Sequence, residues 1–211
     1  WSSDVCSSDL NVLLANPGLA AKTLPEFVAL LKSDPGKYDY GSGGVGSSQQ
    51  LSMAMLLHLT GTKMNHVPFS GGSGQLTMAL VGGTVPLGFD VMTTAMAQVR
   101  GGTLRALGIT SRERSPSAPD IPAIAEFVPG LEIVAWNAML APAGTPQPIV
   151  DKLNAALRHA YADPKVRQAF EKNGMELYPE NEQGPGAVMT LLKSEIKLWG
   201  DVIRSGNITA Q

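Results

Sequence analysis

Apolar residues along this chain fall in short blocks that switch between two periods. Asn11 to Asn16 (NVLLAN) sets four apolar residues in a row and stops at Pro17-Gly18, the pattern of a buried strand. Phe27, Leu30 and Leu31 then follow at helical spacing. Thr23-Leu-Pro-Glu26 ahead of them has the form of a capping box with proline in the first turn. Asp34-Pro35-Gly36 ends that helix. Further strands are predicted at Tyr38 to Tyr40, Met64 to Val67, Val85 to Phe89 and Leu104 to Ile109. Helices are predicted from about Ser47 to Thr60, from Ser73 to Leu80 and from Thr93 to Val99, with Gly61 and Gly101-Gly102 as stops. This alternation implies an α/β layer structure with a largely parallel sheet.

After Ser111 the pattern changes. Residues 111–122 hold three prolines and three serines, which is surface-loop chemistry. Leu131 to Trp136 returns as a strand, and Pro142 to Pro146 leads into a helix reaching about Tyr161. Asp163-Pro164 reads as an N-cap with proline at the first helical position, opening a helix that Gly174 stops. A last amphipathic helix is predicted from Pro185 to Ile203, with an apolar stripe of Val188, Leu191, Leu192, Ile196 and Trp199. These C-terminal helices have few strands to pack on, so the expectation is a partner segment that this chain does not supply.

Composition narrows the function classes. Of 211 residues, 44% are hydrophobic and 16% charged, an ordinary globular balance. The longest apolar stretches, such as Ala135 to Ala143, fall far short of the ~20 residues of a membrane span. A formal charge of −2 gives no basic footprint for nucleic acid. The first ten residues, Trp1-Ser-Ser-Asp-Val-Cys-Ser-Ser-Asp-Leu10, match the translation of a common sequencing adapter and are set aside as adapter-like. With them goes Cys6, the chain's one cysteine, and with it any disulfide or cysteine metal site. The natural chain is expected to begin upstream of Asn11, where a secretory signal would lie.

The candidate chemistry sits in glycine-rich loops. Gly41-x-Gly43-x-x-Gly46 follows a strand and opens a helix, the spacing of a dinucleotide fingerprint. A nucleotide site also wants an acid about 20 residues on, or an arginine, and Tyr40 to Phe89 contains no Asp, Glu or Arg. What remains is a helix N-terminus with backbone N–H groups and the hydroxyls of Ser47 and Ser48, an arrangement suited to an anion. The missing acids fit that reading, since the chain average of 18 acids in 211 residues would put about four in that window. Chance in a sparsely charged chain is the alternative. A second loop, Ser70-Gly-Gly-Ser-Gly74, either presents amides to the same cleft or is a plain strand-to-helix turn. Asp90 ends the acid-free window at the C-terminal end of an apolar strand, where α/β ligands bind, or else serves as a helix cap.

No catalytic residue, metal site or cofactor is predicted. His58, His66 and His159 lack metal-ligand spacing, and no G-x-S-x-G, HExxH or cysteine nucleophile is present. His58 reads as a core or edge histidine. Met53, Met55, Leu56 and Leu59 read as packing residues, and Glu171, Lys172, Glu180 and Glu182 as solvated surface.

Five blocks together carry a resemblance. Asn11-Val-Leu-Leu-Ala-Asn-Pro17, Tyr40-Gly-Ser-Gly-Gly-Val-Gly-Ser-Ser-Gln-Gln-Leu51, His66-Val-Pro-Phe-Ser-Gly-Gly72, Leu104-Arg-Ala-Leu-Gly-Ile-Thr-Ser111 and Leu140-Ala-Pro-Ala-Gly-Thr-Pro146 resemble, in order, the signature blocks of Bug-type receptors. These are the periplasmic solute-binding proteins of tripartite tricarboxylate transporters. The resemblance implies an α/β, type II periplasmic-binding-protein-like fold of two lobes, a Venus flytrap, with the first lobe incomplete. Residues 11–133 would form the second lobe and 134–211 the C-terminal part of the first. It also implies a small carboxylate ligand, membrane transporter subunits as partners and a periplasmic location. Ser42, Gly43, Gly44, Gly46, Ser47, Ser48 and Gln49 would grip one ligand carboxylate, partly through ordered water, with Asp90 near the ligand's other groups. Where the family often shows Tyr-Lys-Gly after His-Val-Pro, this chain has Phe69-Ser70-Gly71, so no role for a lysine there carries over. A nucleotide-dependent α/β enzyme and the ligand-sensing module of a regulator remain the alternatives.

Overall fold

The structure, a computed structural model, describes residues 2–172, 175 and 177–205. Its organising element is the long strand β1 (Ser2–Ala15). Leu10, Val12 and Leu14 alternate with Leu13 and Ala15, and the two sets enter separate cores on opposite faces of one sheet. A strand covered on both sides requires an unbroken apolar run, and Val12 to Ala15 are fully buried. One face packs on α1 (Leu24–Ser33) and α2 (Ser48–Thr60) through Phe27, Leu31, Met53 and Leu56. The other packs on α3 (Gly72–Val81) and α4 (Met92–Arg100) through Leu76, Leu80, Met92 and Ala95. Each of these side chains other than Ala95 contributes about 1.5–3 kcal/mol by leaving water.

The strand order is β3 (Asn65–Pro68), β2 (Asp39–Ser42), β4 (Leu87–Val91), β1, β5 (Arg105–Ile109). Strands β3, β2 and β4 run parallel, as the alternation of strands and helices predicts. β1 corrects the picture of a largely parallel sheet, because it runs antiparallel to both β4 and β5. An apolar run fixes burial but carries no direction. β2 and β4 come close at Gly41 and Gly88, where a Cβ on Gly88 would lie 2.5 Å from the Gly41 carbonyl oxygen.

Beyond the sheet, the N-terminal stretch of β1 pairs antiparallel with β6 (Val134–Ala141), from Leu10 opposite Val134 to Ser2 opposite Ala141. Ser2 to Leu10, set aside as adapter-like, are thus part of a strand. Ladder pairing uses main-chain groups, which every extended peptide carries. The strand predicted at Leu131 to Trp136 begins later, at Val134, with Leu131 and Ile133 buried just before it.

The chain then continues through α5 (Gln147–Ala162), α6 (Pro164–Lys172) and α7 (Pro185–Ser205). Asp163 caps α6 by accepting from the Lys165 N–H at 2.8 Å. The stop predicted at Gly174 lies outside the described residues, as does the Glu182 side chain. This part is thinly packed. α6 buries no residue, and on the stripe of α7 Val188 is buried while Ile196 is 65% exposed. On α2, His58 is exposed and does not enter the core. Of the expected packing residues there, Met53 and Leu56 are buried but Leu59 faces water, since the helix covers the sheet with one side only.

Candidate functional site

The first glycine loop runs from the end of β2 to the start of α2. Gly44 and Gly46 hold φ of 132° and 77°, the left-handed side of the map where L residues are strained. Ser47 is the N-cap of α2. Its hydroxyl accepts from the Gln50 N–H at 3.3 Å and donates to the Gly44 carbonyl at 2.7 Å. The two glutamines that follow fold back over the loop: Gly43 N–H donates to Gln49 Oε1 (3.2 Å) and Gly46 N–H to Gln50 Oε1 (2.6 Å). Ser42 Oγ, fully buried, donates to the Gly44 carbonyl and accepts from the Gly44 N–H.

The loop is held from behind by two further networks. In one, His66 on β3 stacks on Tyr40 with ring centroids 4.9 Å apart, its Nε2 2.6 Å from Ser42 Oγ and its Nδ1 3.0 Å from Gln50 Nε2. Burial pushes the His66 pKa down and the Tyr40 phenol up to about 12, so the uncharged forms are favoured in both. In the other, Gln49 Nε2 donates to Asp90 Oδ1 (3.2 Å) and to Ser73 Oγ (3.0 Å). Asp90 is fully buried at the end of β4, and its carboxylate also accepts from Thr77, Thr94 and the Val91 N–H. With four donors on it, Asp90 works as an anchor for α2, α3 and α4. Val91 is the N-cap residue of α4. Ser73 links the second glycine loop to the first through the same glutamine.

These contacts leave particular donors open. Among the described residues, the backbone N–H groups of Ser48 and Gln49 meet no protein acceptor, as the first turn of a helix dictates, and neither does that of Val45 in the loop before it. Gly46 and Ser48 line a cleft of about 400 Å³ whose other walls include Trp136 and Asn137 of β6 and Glu195 and Trp199 of α7. The Ser48 hydroxyl also reaches Asn11 Oδ1 at 3.4 Å. A helix N-terminus that brings Ser48 to a cleft with two indole rings suits a small anion with an apolar body. The acid-free window does not describe the whole cleft, because Asp9 and Glu195 also line it. Trp199 Nε1–H donates to Glu195 at 2.8 Å. A larger hollow of about 860 Å³, between Pro116-Ser117 and α6, lies apart from the loop residues.

The structure places Ser42, Gly43, Gly44, Gly46, Ser47, Ser48, Gln49 and Asp90 around one loop in three hydrogen-bonded sets: Ser42, Gly44, Gly46 and Ser47 with Gln50 and His66, Gly43 and Gln49 with Asp90, and Ser48 with Asn11. His66, Gln50, Asn11, Thr77 and Thr94 belong to these sets and were missed. The available signal was Gln49-Gln50 directly after an N-cap, where long amides can turn back on the loop. Among the described residues, no group of three or more His, Cys, Asp or Glu is placed to hold a metal, and no helix is long and apolar enough to cross a membrane.

A sheet of this order, with a glycine loop at the C-terminal edge of its parallel strands and a long strand leading out to further helices, is the architecture of a type II periplasmic binding protein. The chain belongs to the tripartite tricarboxylate transporter family receptors, whose family model matches residues 5–208. It is 32% identical over 195 residues to the UPF0065 protein of the tcbD-tcbE intergenic region of Pseudomonas sp. strain P51, covering 92% of this chain and 57% of that protein. Among solved structures it resembles MatC from Rhodopseudomonas palustris with bound malate, at 33% identity and a TM-score of 0.87, over 94% of this chain and 68% of that one. A second R. palustris protein, solved with adipate, is 26% identical with a TM-score of 0.91, over 98% and 68% of the two chains. The chain spans 57%, 61% and 55% of the length of three of the curated relatives it matches.

Proposed function

We propose that this chain is the ligand-gripping part of an extracytoplasmic receptor that captures a small organic carboxylate and delivers it to the membrane subunits of a tripartite tricarboxylate-type transporter. The observation that carries this reading is the set of open N–H groups at the first turn of α2, beside a cleft of about 400 Å³. Amide donors and the helix dipole favour a carboxylate there. The relatives solved with malate and adipate support that ligand class. Ser42, Gly43, Gly44 and Gly46 shape the loop, Ser47 caps it, Ser48 faces the ligand, and Gln49 with Asp90 hold it in place. Residues 11–133 would form one lobe and 134–211 part of the other, with the ligand taken between them in the periplasm. The reading asks for no bond to be broken, so the protein is a receptor and not an enzyme. Titration calorimetry with L-malate, adipate, citrate, NAD and ATP tests it. Heat from one or more of the acids is expected, and heat from a nucleotide alone would overturn it.

A further inference from the structure

The geometry points to His66 as a positioning residue that clamps the glycine loop through one tautomer, neutral with its proton on Nε2. The hydrogen-bond network decides which nitrogen carries the proton. Gln50 Oε1 accepts the Gly46 N–H at 2.6 Å, which turns the Gln50 NH₂ toward His66 Nδ1 at 3.0 Å. An amide NH₂ can only donate, so Nδ1 must accept and carry no proton. On the other side, the single proton of the Ser42 hydroxyl goes to the Gly44 carbonyl at 3.0 Å. Ser42 Oγ therefore accepts at its 2.6 Å contact with His66, and Nε2 donates. Donors and acceptors alternate without conflict from Gly46 through Gln50, His66 and Ser42 to Gly44. The imidazole is half-buried and stacked at 26° on Tyr40, which fixes the plane in which both nitrogens point. One side chain on an edge strand thus connects the first turn of α2, 16 residues earlier, to the end of β2, 24 residues earlier. The loop between them is the one whose open amides the proposed carboxylate would meet, and the clamp's importance for function rests on that reading.

The test needs no ligand, so it stands or falls apart from the identity of what binds. Nitrogen-15 NMR of the labelled histidines reports the tautomer, and amide hydrogen exchange reports the loop. In the unaltered chain the His66 imidazole is expected neutral with the proton on Nε2. In His66→Phe, which keeps a ring against Tyr40 and removes both nitrogens, exchange at Gly46 should rise about tenfold, the change expected on losing a hydrogen bond of ordinary strength. Exchange at Phe89 in the core should stay unchanged. His66→Asn, which returns an acceptor near the Nδ1 position, should recover most of the protection at Gly46. A proton on Nδ1, or equal Gly46 exchange in the phenylalanine variant, would overturn the clamp. If His66→Phe does not fold, the tautomer and the asparagine variant decide the matter.

Discussion

The side-chain amide of Gln49 donates to the buried carboxylate of Asp90 across 3.2 Å, joining the first turn of α2 to the end of β4. The same amide accepts the Gly43 N–H at 3.2 Å, so the shape of the glycine loop is referred to a fixed point inside the sheet. Four separable expectations follow from this wiring and its surroundings.

Replacing Asp90 with alanine takes away the acceptor shared by the buried Gln49, the part-buried Thr77 and Val91 N–H, and Thr94. The loss should be at least about 2 kcal/mol, the scale for unsatisfied buried groups around a charge. Asp90→Asn should also destabilise, because an amide brings two donors of its own to a place where four already converge. Urea unfolding measures both, and an unmoved midpoint in the alanine variant would remove Asp90 as the anchor.

Ser47 and Ser48 should separate. Ser47 caps α2, so Ser47→Ala should lower stability by about 0.5–2 kcal/mol. Ser48 lines the cleft, so Ser48→Ala should leave the melting temperature nearly unchanged and weaken carboxylate binding. Thermal melts and calorimetry on the two single variants distinguish them, and the reverse pattern would exchange their roles.

Gly44 offers a way to divide strain from charge. Nothing lies within 4 Å of a Cβ built there, but its φ of 132° strains any L residue by about 1–3 kcal/mol. Gly44→Ala carries that strain alone, whereas Gly44→Asp adds a carboxylate beside the open amides. The aspartate variant should bind a carboxylate ligand far more weakly than the alanine one. Matching affinities in calorimetry would take the loop out of the site.

Asp9 gives a pH signature. Burial holds its pKa above the ordinary 3.8, against hydrogen bonds from Thr93 and nearby backbone, and among the described residues its buried Oδ1 meets no hydrogen-bond partner. The folded state therefore holds this proton more tightly than the unfolded state. Stability should fall as pH rises from the ordinary carboxylate range through the raised value, and the cost is fully present at neutral pH. Asp9→Asn should melt higher at neutral pH and lose that part of the slope. Melting curves across pH check it, and parallel curves for the two proteins would contradict it.

Legibility in the sequence followed the range of the interaction. The Ser47 cap, the Gly61 stop at φ of 64° and the Thr23 cap of α1 are local chemistry, and each stands where its residue type places it. The alternation of Val12 and Leu14 with Leu13 and Ala15 shows a strand buried on both sides, but not that it runs against its neighbours. In the site, the loop from Ser42 to Gln49 was visible as a glycine pattern. The links from His66 to Ser42 and from Gln49 to Asp90 were not, because they join residues 24 and 41 positions apart and depend on which strands become neighbours. Asp90 shows the same limit. An acid at the end of an apolar strand reads as a ligand contact or a helix cap, and its donors Gln49, Thr77, Thr94 and the Val91 N–H become visible only in the structure, where the side chain is buried.

The pairing of Ser2 to Leu10 with β6 has a practical side. In this chain the residues before Asn11 lie along eight residues of strand, from Val134 to Ala141. An affinity tag fused at that position would not be inert: it would compete for the edge and change what a melting curve or a solubility screen reports.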